Sequence, residues 1–242
     1  MTVSGKTVVV TGAGRGIGRA VSLRLARAGA KVVAAARRQA DLDALVDEIT
    51  AEGHTARAVS ADVSREEDVH RLHEQTRSAF GDADILVNNV GLGKYGTLAE
   101  LSIDDYDRMM NTNMRSTFLC TRAFFPAMLK KGAGCHLLFV ASVASLRGLP
   151  RESVYCASKA AQYAFAQSLD HEARPAGVKV SVVAPGGVNT DFALGEGRTK
   201  GDPVLQEMLD SEDVAEAVLF ALSQPEKSRT FLIGMRPMNE AL

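Results

Sequence analysis

The sequence has little cysteine, no sustained apolar run and no excess of either charge, and each lack excludes something. Its 3 cysteines, Cys120, Cys135 and Cys156, form no C-x-x-C pair. An odd, scattered set excludes a disulfide framework or a zinc site as the organising device. The longest apolar runs, such as Val32–Ala36 and Leu137–Val140, fall far short of the roughly 20 residues that cross a bilayer. No membrane association is expected. Lys plus Arg number 28 against 29 for Asp plus Glu, a net charge of −1. A protein that grips nucleic acid through its phosphates carries a basic surplus, so no nucleic-acid partner is expected. Met1–Lys6 leads straight into a β-branched apolar segment. No basic stretch or long hydrophobic leader precedes it, and the expectation is a cytoplasmic protein. Internal repeats and low-complexity tracts are also lacking.

What is present is a globular balance. The 242 residues, 46% hydrophobic and 24% charged, suit one α/β domain. Apolar runs at Thr7–Val10, Lys31–Ala36, Thr55–Ser60, Ile85–Val87, His136–Ala141, Lys179–Val183 and Thr230–Met235 read as strands. Helical patterns fill the gaps at Arg19–Ala28, Ala40–Thr50, Glu66–Phe80, Asp104–Leu129, Ser153–Ala173 and Ser211–Leu222. The second of these helices places Leu42, Leu45, Val46 and Ile49 on one face. Ser64 with Glu67 reads as a capping box, Ser211 as an N-cap, and Pro126 as the point where the long helix bends or ends. Strands that are apolar throughout are covered on both faces. Their alternation with helices predicts a Rossmann-like, doubly wound parallel sheet of about seven strands in a single domain. Ligands of such sheets bind at the carboxyl ends of the strands, so the loops there are the place to look for chemistry.

The first such loop is Thr11-Gly12-Ala13-Gly14-Arg15-Gly16-Ile17-Gly18, between a strand and a helix. Glycines there let the chain turn tightly and let a pyrophosphate approach a helix N-terminus. The spacing is not G-x-G-x-x-G, since Ile17 stands where the third glycine would fall. The second strand ends Ala36-Arg37-Arg38. A carboxylate at that position would hold a ribose 2′-hydroxyl and repel a 2′-phosphate. A small residue and two guanidiniums, with Arg15 nearby, suit the phosphate instead, so NADP(H) is expected in preference to NAD(H).

With these and six further motifs, the chain resembles the short-chain dehydrogenase/reductase family in its compact single-domain form. Thr11–Gly18 fits T-G-x-x-x-G-x-G, Asp62-Val63 fits the acidic pair after the third strand, and Asn88-Asn89-Val90-Gly91 is similar to N-N-A-G, with valine for alanine. Asn113 falls in the helix after the fourth strand. Ser142 precedes Tyr155 by thirteen residues, Tyr155–Lys159 fits Y-x-x-x-K, and Pro185–Thr190 fits P-G-x-x-x-T. The match runs from about Gly5 to about Leu222. It implies one NADP(H)-binding domain over 1–242 with a substrate lid at about 191–209. It implies cofactor contacts from Gly12, Gly14, Arg15, Gly16, Ile17, Gly18, Arg37, Arg38, Asp62, Val63, Asn89, Gly91, Pro185, Gly186, Val188 and Thr190, with Tyr155 and Lys159 also touching the cofactor.

The implied chemistry is reversible hydride transfer between a nicotinamide and a small-molecule carbonyl or alcohol. Tyr155 and Lys159 lie four apart and share a helix face. An ammonium beside a phenol favours the phenolate, which would bring Tyr155 down toward working pH as general acid/base. Ser142 would hydrogen-bond the same substrate oxygen. Lys159 would bond the nicotinamide ribose, and by analogy Asn113 would hold a water that relays protons to Lys159. Lys94, Arg147 and Arg151 could meet an anionic substrate, which would favour a 3-oxoacyl-thioester reductase. The tail Arg236–Leu242 departs from such reductases. A non-catalytic NADP(H)-sensing module is the remaining alternative. Self-pairing of the long helices would make a homodimer or homotetramer. His70 and His73, three apart among charged neighbours, read as a solvated face, and Cys156 and Met109 read as packing residues.

Overall fold

The computed structural model describes residues 2–240. Seven strands are described: β1 (Thr7–Thr11), β2 (Lys31–Ala36), β3 (Thr55–Ser60), β4 (Ile85–Asn88), β5 (His136–Val140), β6 (Lys179–Pro185) and β7 (Leu232–Met235). They form one sheet in the order β3-β2-β1-β4-β5-β6-β7. Every pairing is parallel. The helices are α1 (Gly16–Arg27), α2 (Gln39–Ala51), α3 (Glu66–Phe80), α4 (Ile103–Met110), α5 (Ser116–Lys131), α6 (Ser153–Ala173) and α7 (Ser211–Leu222). The doubly wound single-domain sheet expected from the alternation is therefore present.

The strand period of two divides the core. Val8, Val10, Val32, Ala34, Ile85 and Val87 face one side with residues of α1, α2 and α7. Val9, Val33, Ala35, Leu86, Leu137 and Phe139 face the other with residues of α3, α5 and α6. Each fully buried Val, Leu, Ile or Phe among them contributes about 1.5–3 kcal/mol, so neither layer can be shed. The sheet order reverses between β1 and β4, and the loops after these two strands open a crevice at their carboxyl ends.

Four local expectations are corrected. Ser64 does not cap α3; the N-cap is Arg65, with no side-chain cap bond. The Ser64 hydroxyl donates instead to Asp62 Oδ1 at 2.7 Å. The first turn holds Glu66, Glu67 and Asp68, and these carboxylates complement the helix dipole. Helix α7 is capped by Asp210, which forms a capping box with Asp213, rather than by Ser211. Helix α5 runs through Pro126 to Lys131. Phe124, Phe125 and Met128 are buried beside the proline, and their burial outweighs the roughly 3 kcal/mol of a helix-interior proline. The long helix breaks earlier, at a π-helical turn over Asn111–Arg115 that links α4 to α5. Finally, α1 begins at Gly16 rather than Arg19, inside the glycine-rich segment.

Candidate active site

Helix α1 starts without a side-chain cap: Arg15 in the N-cap position has extended backbone and makes no cap bond, and the first turn has no acidic residue. Its N-terminal N–H groups and positive dipole end therefore face the crevice. Gly18 explains how the helix comes so close, because a Cβ there would stand 2.2 Å from the Gly12 carbonyl oxygen. Asn89, after β4, ties the turn down. Its amide donates to Thr11 O at 3.0 Å, and its backbone N–H to Thr11 Oγ1 at 3.0 Å. Thr190 closes the other side, its Cγ2 3.2 Å from where a Gly16 Cβ would be. Uncapped donors between three glycine positions and Thr190 fit a pyrophosphate.

Arg15, Arg37 and Arg38 line the adjoining end of the same cavity, with Asp62 and Val63 beside them. The end of β2 carries no carboxylate, but Asp41 enters from the first turn of α2. Its Oδ2 is 2.5 Å from Arg38 Nη2, and its Cβ is 3.1 Å from a Gly14 Cβ position. The sequence reading did not single out Asp41. Only the helical turn that folds it back toward Gly14 places it there.

The other end of the cavity brings Ser142, Tyr155 and Lys159 together. Tyr155, on α6, is buried, and Ser142, after β5, lines the same end of the cavity. Ser142 accepts from Ala144 N at 3.1 Å, which fixes its rotamer. Lys159 Nζ lies 6.0 Å from the Tyr155 ring centroid and donates to Val140 O at 3.3 Å. Lys159 is 3% exposed, and no carboxylate pairs with it among the described residues. Burial alone lowers its pKa to about 8. Gly91 leaves the ammonium room, since a Cβ there would stand 3.3 Å from Nζ. Tyr155 departs from expectation. Burial pushes its phenol well above the ordinary value, the neighbouring Tyr95 adds to this, and Ser142 only partly opposes it. Burial therefore favours the phenol over the phenolate.

Asn113 sits in the π-helical turn and is fully buried. Its side chain bonds Leu92 in both directions, accepting from Leu92 N at 2.7 Å and donating to Leu92 O at 2.8 Å. The same amide donates to Ser158 Oγ at 2.8 Å. Its backbone carbonyl accepts from Gln162 Nε2 at 2.9 Å and from Thr117 Oγ1 at 2.7 Å. Asn113 thus clamps the Gly91-Leu92 loop to α6, and its polar atoms already have protein partners. Gln162, three residues after Lys159, was not singled out by sequence. It is 1% exposed and its own Oε1 has no partner among the described residues.

The segment 191–209 packs over this end. Tyr95 and Phe192 flank the Tyr155 ring at centroid distances of 6.0 and 5.8 Å. Arg198 lies over the Phe192 ring at 5.8 Å and donates to the Val188 carbonyl at 2.9 Å. The Gly187 N–H donates to Glu240 Oε2 at 2.9 Å, which holds Glu240 against the Pro185–Thr190 turn. Pro185 ends β6, and Gly186 N–H donates to Met235 O at 2.8 Å. Of the three cations expected to form an anion site, two are engaged elsewhere. Lys94 pairs with Asp105 at 2.9 Å, and Arg151 with Glu100 at 2.9 Å. Arg147 does line the cavity. Both ends belong to one cavity of about 1280 Å³. That exceeds the usual 300–1,000 Å³ of a single-ligand pocket and leaves room for a dinucleotide and a second molecule.

The family model described as short chain dehydrogenase matches residues 6–200. The chain belongs to the short-chain dehydrogenase family. The sepiapterin reductase of Chlorobaculum tepidum is 36% identical over 238 residues, covering 95% of each chain. The alcohol dehydrogenase of the archaeon Thermococcus sibiricus, solved with 5-hydroxy-NADP, superposes with a TM-score of 0.89 at 29% identity, covering 98% of each chain. A short-chain dehydrogenase/reductase of Burkholderia phymatum, solved with NAD, gives 0.87 at 32% identity, covering 97% of this chain and 90% of that one. As a short-chain dehydrogenase the protein is an oxidoreductase that uses a nicotinamide cofactor. No described helix is long and apolar enough to cross a membrane. His73 is not on a solvated face: it is partly buried and packs edge-on against Phe124, whereas His70 is exposed. The three cysteines are free and buried, and no group of three or more His, Cys, Asp or Glu residues among those described could hold a metal.

Proposed function

We propose that this short-chain dehydrogenase is an NADPH-linked carbonyl reductase, with Tyr155 as the proton donor to the substrate oxygen. The observation that carries this is the buried Tyr155, with Ser142 and the Lys159 ammonium beside it, in the cavity whose far end is the uncapped start of α1. Gly14, Gly16, Ile17, Gly18 and Thr190 would hold the pyrophosphate on N–H donors and the helix dipole. Asp62, Val63, Asn89 and Gly91 would flank the adenosine and nicotinamide halves, while Pro185, Gly186 and Val188 would border the nicotinamide. Arg15, Arg37 and Arg38 would hold the 2′-phosphate, with Asp41 keeping Arg38 in place rather than offering a ribose ligand. The bound nicotinamide supplies the hydride. Tyr155 donates its proton as charge develops on the carbonyl oxygen, and Ser142 hydrogen-bonds the same oxygen. Lys159, cationic below about pH 8, stabilises the phenolate left behind and bonds the ribose. Asn113 acts by holding Leu92 and α6 in register.

The relatives support a nicotinamide and a small carbonyl compound; one solved neighbour carries an NADP derivative and another NAD. The ion pairs on Lys94 and Arg151 favour a small ketone or aldehyde over a 3-oxoacyl thioester on an acidic carrier. Retention of Tyr155, Lys159 and Ser142 together favours turnover over a sensing role. The test is NADPH oxidation with a panel of ketones, aldehydes, β-ketothioesters and sepiapterin, beside an NADH control. At least one carbonyl compound should be turned over faster with NADPH. Tyr155→Phe should then lose about 10²–10⁴-fold in kcat. A fully active phenylalanine variant would refute the mechanism.

A further inference from the structure

The substrate end of the cavity contains a carboxylate that the chemistry above does not use. Glu152 occupies the N-cap position of α6, three residues before Tyr155. That spacing sets the two side chains on one helix face. Glu152 lines the cavity together with Tyr95, Tyr155, Arg198 and Glu240. It makes no side-chain cap bond to its own helix. Among the described residues its carboxylate has neither a hydrogen-bond donor nor an ion-pair partner, although it is partly buried. Glu240, the second carboxylate in the cavity, differs. It accepts from Gly187 N–H at 2.9 Å and pairs with Arg236 at 3.4 Å.

The backbone before Glu152 is built to hold it there. Arg151 is a non-glycine residue at φ +61, in the left-handed region. Such a conformation persists only where its surroundings over-determine it. Here the Arg151 carbonyl accepts from Gly96 N–H at 2.8 Å, and its guanidinium bonds Glu100 at 2.9 Å. Burial raises the Glu152 pKa, Arg198 opposes this, and Glu240 adds to it. Its carboxylate stays open to the cavity, an acceptor that a ligand's N–H donor can engage.

We infer that Glu152 selects the substrate of the proposed reductase: it takes carbonyl compounds whose non-reacting end presents N–H donors, as an amide, amidine or amino-heterocycle does, and rejects those with a carboxylate or phosphate there. This rests on the reductase reading for the position of the reacting carbonyl beside Tyr155. Tyr95 and Phe192 give the substrate flat apolar walls, which suits a planar scaffold. A charge-assisted hydrogen bond to Glu152 would then fix its far end.

The test uses four aromatic ketones of one shape: 4-acetylbenzamidine, 4-acetylbenzamide, acetophenone and 4-acetylbenzoate. Binding to the NADP-loaded enzyme is measured by calorimetry, and NADPH oxidation is followed in parallel. The amidine and the amide should bind at least tenfold tighter than the benzoate. Glu152→Ala should collapse that ratio to within about threefold, and Glu152→Lys should reverse it in favour of the benzoate. A wild-type enzyme that binds the benzoate as well as the amidine overturns the inference. So does a ratio that survives in Glu152→Ala. Reversal by the lysine variant is a result that a merely structural role could not give. Absence of NADPH oxidation with every carbonyl compound, with the binding order intact, would count against the reductase reading alone.

Discussion

Replacing Lys159 by methionine should make the cofactor-free protein more stable while removing the cation beside Tyr155. Lys159 is 3% exposed and has one hydrogen bond, to Val140 O at 3.3 Å. Burial lowers its pKa from 10.5 to about 8. The folded state therefore disfavours the ammonium, whereas the unfolded chain keeps its proton up to about pH 10.5. Between these values the unfolded state binds more protons, so stability rises with pH. Below about pH 8 the full cost is present, about 3 kcal/mol at 1.36 kcal/mol per pKa unit. Methionine has a similar length and no charge, and losing the hydrogen bond takes back about 1 kcal/mol. The net gain near pH 7 is then about 2 kcal/mol. For a chain of this size that raises Tm by about 4–8 °C. Thermal unfolding without cofactor, followed by circular dichroism at pH 6, 7, 9 and 10, reads it directly. The gain should be equal at pH 6 and 7 and shrink above pH 8. A variant no more stable than wild type at pH 7, or a gain that does not change with pH, refutes the reasoning. Confirmation would mean that the fold holds Lys159 against its own stability, as active sites do.

Three other perturbations are informative. Arg37→Ala with Arg38→Ala should weaken NADPH by about tenfold or more and spare NADH, as the loss of charge-assisted phosphate contacts requires; equal weakening of both in a fluorescence titration would remove the 2′-phosphate assignment. Gly18→Ala puts a Cβ 2.2 Å from the Gly12 carbonyl oxygen; it should destabilise by more than about 2 kcal/mol or abolish cofactor binding, and a normal urea midpoint with normal NADPH affinity would contradict the close approach. Gln162→Leu removes donors to the Asn113 carbonyl and to Thr117 Oγ1, at 2.9 and 2.6 Å; it should cost about 1–2 kcal/mol in urea unfolding and lower kcat more than it changes KM, whereas an unaltered kcat would show that the π-helical turn does not need this support.

Much of the architecture was legible because period and punctuation agree. Strands β2 and β3 and helices α3, α6 and α7 lie where their hydrophobic periods set them. The carboxyl-end loops follow from alternation alone, which puts the glycine-rich turn and Ser142 at the same end of the sheet. Helix ends were less legible. Ser64 and Ser211 are good caps in isolation, but neighbouring carboxylates offered better bonds. The π-helical turn left no mark in composition, since no glycine or proline occurs in Asn111–Arg115. Part of its support comes from α6, forty-nine residues away in sequence at Gln162, and part from the Leu92 loop.

The sequence by itself determined the sheet and the family, and it named the candidate site residues, because these depend on side-chain period and on local spacings such as Tyr155 to Lys159. Tertiary structure decided the electrostatics. Whether an ammonium lowers the Tyr155 pKa or burial raises it depends on how much water the packed rings of Tyr95 and Phe192 exclude. Whether Lys94 and Arg151 meet a substrate depends on Asp105 and Glu100, which the fold brings against them. Desolvation and through-space pairing are properties of the packed chain, and no linear spacing encodes them.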